Sequence, residues 1–121
     1  MHTDHLNLTS VPGIKPGIEQ INLRTTDSFT GWIFVGLKYA MTADIQIRSG
    51  KTWSSAVVGM EWSVTNAAYA RANTFSPVVS FTSAVPAIPN IDIAGMIYVR
   101  FRVTTAEATN DPSAQIVYMI Q

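Results

Sequence analysis

The stretch Ile97-Tyr98-Val99-Arg100-Phe101-Arg102-Val103-Thr104 decides the fold of this chain. Apolar and polar residues alternate along it without a break. Successive side chains of a strand point to opposite faces, so Ile97, Val99, Phe101 and Val103 share one face. Tyr98, Arg100, Arg102 and Thr104 share the other. Such a strand lays one face on a core, and its register is fixed because a one-residue slip would turn the apolar set outward.

Working outward, the same period of two recurs on both sides. Ala43 to Ser49 turns Ala43, Ile45 and Ile47 inward, and Ala56 to Val64 places Val58, Met60, Trp62 and Val64 on one face, with Gly59, Glu61 and Ser63 opposite. Ala114 to Ile120 groups Ile116, Tyr118 and Ile120, while Ile18 to Arg24 groups Ile21 and Leu23. Val78 to Thr82 is a short strand behind Pro77. Phe29 to Lys38 is apolar on both faces, as a central strand would be, which places Trp32 in the core with Trp62. These seven candidates, with only Asn66 to Arg71 able to form a helical turn, predict an all-β fold. The expected architecture is an antiparallel β-sandwich of about seven strands over residues 18–121. Ala84 to Pro89 reads as a proline-stiffened apolar loop, and Thr105 to Pro112 as a polar hairpin tip. Residues 1–17 lack any period and hold Pro12-Gly13 and Pro16-Gly17, which reads as an extended N-terminal arm.

Composition narrows the function. In 121 residues apolar side chains make up 47% and charged ones 13%, against a usual charged share of about 25%. So little charge favours a surface that neighbours cover. Eight basic and eight acidic residues cancel, which leaves no footprint for nucleic acid and no polybasic membrane patch. Without cysteine there is no disulfide framework, thiolate chemistry or cysteine metal site. The start, Met1-His2-Thr3-Asp4-His5, lacks the pattern of a signal peptide, and synthesis in a cytoplasm is expected.

No catalytic constellation emerges, and the chain is expected not to be an enzyme. His2 and His5 sit in the arm with Asp4 between them, short of the ligand set and fixed backbone of a zinc site. Asp44 and Glu61 both read as outward-facing, so a carboxylate pair across a cleft is conceivable. There is no G-x-S-x-G elbow and no glycine-rich phosphate loop. Expected cofactors and metals are therefore none. Trp53, at a strand entry, reads as a cap of the sandwich or as a flat platform for a sugar ring. Tyr98, Arg100 and Arg102 form an outward stripe of the residue types enriched at protein interfaces. The arm spaces Leu6, Leu8, Val11 and Ile14 along an extended chain, a second candidate contact surface.

The segment Trp53-Ser54-Ser55-Ala56-Val57-Val58-Gly59-Met60-Glu61-Trp62-Ser63-Val64, followed by Ile91 to Thr104 and a last strand to Ile120, resembles a known group. Its W-x-x-A strand with a W-S ending, then Y-V-R-x-R-V-T, is similar to small β-sandwich virion accessory proteins of tailed bacteriophages, of the capsid decoration or cement type. The likeness spans roughly residues 50–120 and marks strand positions only, so no functional residue carries over. It implies a virion structural protein on the capsid surface, made in the host bacterial cytoplasm. The implied partners are the major capsid protein or neighbouring virion subunits, with a homo-oligomer, such as a trimer, as the working form. The alternative is a carbohydrate-binding sandwich on a tail or host-facing appendage, or a head–tail or tail component.

Overall fold

The fold is described from a computed structural model, which defines residues 16–48, 51, 53–64, 79–108 and 113–121. Among the described residues eight strands run in order: β1 (Gly17–Asn22), β2 (Ile33–Phe34), β3 (Ala40–Ile47), β4 (Val57–Ser63), β5 (Ser80–Phe81), β6 (Ala87–Asp92), β7 (Tyr98–Thr105) and β8 (Ser113–Ile120). They form two four-stranded sheets, β1-β8-β3-β6 and β2-β7-β4-β5, with antiparallel pairing throughout. The chain is therefore an all-β antiparallel sandwich. Among the described strands only β4 and β5 are neighbours both in sequence and in a sheet; every other connection crosses between sheets. This order is that of an eight-stranded jelly roll, two interleaved Greek keys closed face to face.

The core lies between the sheets and follows the alternation of the strands. The first sheet contributes Ile21, Met41, Ala43, Ile45, Ile91, Ala114 and Ile116; the second contributes Ile33, Val58, Met60, Phe81, Val99, Phe101 and Val103. Phe81 and Phe101 meet edge to face, with ring centres 5.8 Å apart. In β7 the expected register holds: Val99, Phe101 and Val103 are fully buried, while Tyr98, Arg100 and Arg102 are turned outward and only partly covered.

The structure corrects several expectations. Among the described residues the eighth strand, beyond the seven candidates read from the alternation, is β6, into which the supposed loop at 84–89 runs. Pro86 and Pro89 hid that strand, since proline cannot donate to a ladder. β6 escapes the penalty as an edge strand, with a register shift opposite Met41 and Ala43 and a positive φ at Asn90. The long strand expected over 29–38 shrinks to Ile33–Phe34. A turn closed by Lys38 N–H on the Val35 carbonyl (3.1 Å) ends it.

Trp32 is not a core residue. Buried Ile33 takes the inward side, so the neighbouring indole is left half-buried on the outer face. Trp62 does pack against the core as a partly buried side chain, but Val64, expected on the same face, is 62% exposed just past the end of β4. β1 begins at Gly17, the last residue assigned to the arm, where the Tyr118 ring occupies the space a side chain would need. The helical turn expected at 66–71 lies outside the described residues.

Candidate functional site

The outer face of the second sheet gathers the chain's most distinctive chemistry. Direct pairing puts Phe34 beside Tyr98, Arg100 beside Glu61, and Gly59 beside Arg102. An isolated bridge sets Phe29 opposite Arg102. The face thus consists of three rows: Phe29, Trp32 and Phe34 along the edge, then Tyr98, Arg100 and Arg102, then Gly59, Glu61 and Ser63.

The middle row is held by charge and by aromatic rings. Glu61 is only 2% exposed, and its two carboxylate oxygens take separate partners. Arg100 Nε donates to Oε1 (3.2 Å), and Arg102 Nε donates to Oε2 (2.5 Å). Arg102 also donates through Nη1 to Asp27 (2.7 Å), a residue held at positive φ in the loop before β2. Burial works against the Arg102 charge, yet the hydrogen bonds to Asp27 and Glu61 outweigh it and raise its pKa. The Arg100 guanidinium lies 3.9 Å from the centre of the Phe29 ring and 4.4 Å from that of Trp32. Such stacking leaves the guanidinium edge available while the flat faces are covered.

Tyr98, Arg100 and Arg102 do share the outer face, but they are neither solvated nor bare. They form a rigid platform over a buried carboxylate, and β7 pairing with β4 could have signalled that Glu61 faces the arginines. Asp44 and Glu61 cannot act as a catalytic pair: Asp44 points outward from the first sheet and Glu61 outward from the second, on opposite sides of the sandwich. The other candidate contact residues, Leu6, Leu8, Val11 and Ile14, lie outside the described residues, as do His2 and His5.

Next to the platform, exposed apolar groups continue past the sheet edge. Phe34 is 60% exposed, meets Tyr98 edge to face at 5.5 Å, and folds its ring over Gly36, where a Cβ would come within 2.8 Å of it. Leu37 occupies the third position of the Val35–Lys38 turn with φ of 69° and is 93% exposed. Glycine or asparagine normally fills such a position, and a leucine there costs about 1 kcal/mol in backbone strain. Tyr39 follows at 75% exposure.

Two further sites are structural: Glu107, which the sequence reading misplaces, and Trp53, which takes the capping role of its two expected ones. Glu107, assigned to a solvated hairpin tip, is 3% exposed. Its carboxylate accepts from Ser54 N (3.1 Å), Ser54 Oγ (2.7 Å), Ser55 N (2.8 Å) and Ala56 N (2.9 Å). Burial opposes its ionisation, but the Ala56, Ser54 and Ser55 donors win and lower its pKa to about 2. Trp53 gives its indole N–H to the Ala56 carbonyl (2.8 Å) and packs against the core, so it caps the sandwich. On the first sheet, Gln20, Gln115 and Gln46 stand in register across β1, β8 and β3 over a depression of ≈ 280 Å³.

No family model, characterised relative or solved structure matches the chain. The likeness to phage accessory proteins thus rests on the strand residues quoted above and on nothing further.

Proposed function

We propose that the chain is a non-enzymatic assembly protein that docks through the outer face of its second sheet. The observation that carries this reading is the pair of rings Phe29 and Trp32 stacked on Arg100, beside Tyr98 and Arg102. Aromatic and arginine side chains held rigid before contact lose little entropy on binding, which is why they dominate interface energetics. The low charge of the whole surface fits a protein covered by neighbours.

The particle we assign it to is the tailed-phage virion, as a capsid decoration protein that bridges neighbouring shell subunits. That assignment rests on the strand resemblance, and the jelly-roll order supports it only by analogy, because the architecture recurs in viral capsid and lectin domains alike. A ligand that binds only the assembled shell stabilises it by mass action at every site.

A glycan-binding role on a tail or host-facing appendage is the second reading. Trp53 is unavailable for it, since its N–H is bonded and its ring packs on the core. The amide row Gln20–Gln115–Gln46 supports it instead, because neutral donors and acceptors side by side suit hydroxyl groups. Purified chain mixed with undecorated phage shells and with a glycan panel separates the two. Co-sedimentation with shells is the expected result; glycan binding without shell binding would favour the second reading.

A further inference from the structure

We infer that the N-terminal arm of one copy docks on the Phe34–Leu37–Tyr39 patch of a second copy, giving a homo-oligomer by arm exchange. This rests on the assembly reading and names its first partner as the chain itself. Three observations lead to it.

The patch is costly to leave bare. Leu37 combines a positive φ with 93% exposure, and Phe34 and Tyr39 flank it at 60% and 75%. Among the described residues nothing covers these side chains, so an occupant has to be supplied from elsewhere.

The fifteen residues that precede Pro16 start from the same end of the sandwich. Gly17 pairs with Tyr118. Three residues further along, the Gln121 carbonyl accepts from Tyr39 N (2.8 Å) and Ala40 N (3.1 Å). Pro16 has no N–H, so it cannot add a donor to the β1–β8 ladder. An arm leaving here starts within a few residues of the patch on its own subunit, and the same geometry serves a reciprocal exchange between two copies.

The arm has the chemistry to fill the patch. Leu6, Leu8, Val11 and Ile14 are spaced along it as apolar residues, and only His2, Asp4, His5 and Lys15 can carry a side-chain charge. Ordering an extended segment costs backbone entropy, which contacts of apolar side chains with Leu37 and the two rings offset.

The cysteine-free sequence makes the test direct. Full-length Asn7→Cys and full-length Lys38→Cys are mixed and treated with a short bis-maleimide, then resolved on a denaturing gel. A crosslinked pair carrying one of each chain is expected. Adding Leu37→Asn to the Lys38→Cys chain should cut its yield by about tenfold or more while leaving the chain at least as stable, since asparagine suits the turn. Folded chains that give no mixed pair would overturn the inference. So would an Asn7→Cys/Lys38→Cys double variant that crosslinks only within one chain. Shell binding without the mixed pair removes arm exchange alone; the mixed pair without shell binding removes the phage reading and leaves arm exchange standing.

Discussion

Glu107 ties the end of β7 to the entry of β4, and the consequence is a defined acid sensitivity. Its pKa falls from 4.5 to about 2 on folding. Between those values the unfolded chain binds more protons than the folded one, so lowering the pH favours unfolding. The contribution is complete above about pH 4.5 and is lost as pH drops through about 2. Glu107→Gln should cost about 1–3 kcal/mol at neutral pH, because the backbone donors of residues 54–56 lose a charged acceptor. It should also flatten the fall in stability between pH 4.5 and 2, as read by urea unfolding at several pH values. An unchanged acid slope would mean that another carboxylate governs it. Phe101, fully buried against Phe81, is the matching test of the core. Phe101→Ala should cost about 3–5 kcal/mol, and a loss under about 1 kcal/mol would place the ring outside the core.

At the scale of elements, what could be read from sequence followed the strength of the alternation. β7, β4, β3 and β8 carry unbroken period-two patterns, and their inward residues are those the pattern names, save Val64 just past the end of β4. β6 was illegible because two prolines mask an edge strand whose pairing tolerates them. Trp32 was misassigned because an apolar residue on a doubly apolar stretch gives no clue to its face; only the pairing of Ile33 with Val99 settles it. The Glu61–Arg100–Arg102 platform needed the β4–β7 register, which depends on contacts roughly forty residues apart in sequence. The arm belongs to this scale too. Deleting residues 2–14 should leave thermal melting of the chain nearly unchanged and weaken its self-association strongly, measured by calorimetry and sedimentation. A large drop in melting temperature would instead make the arm part of its own domain's core.

For the whole molecule, the two outer faces differ in kind. The first sheet shows a neutral amide row, and the second an arginine platform edged by exposed aromatic and aliphatic groups. The fold orders both without deciding which one is used, since a jelly roll hosts unrelated functions. The decisive comparison is co-sedimentation with undecorated phage shells of three chains: the natural one, a Phe29→Ser/Trp32→Ser variant, and a Gln20→Ala/Gln115→Ala variant. All four positions are at least partly exposed, so each variant should fold. Docking through the second sheet predicts that the natural chain and the glutamine variant bind alike, while the aromatic variant loses at least about tenfold in affinity. Full binding by the aromatic variant, or its loss in the glutamine variant alone, would contradict it.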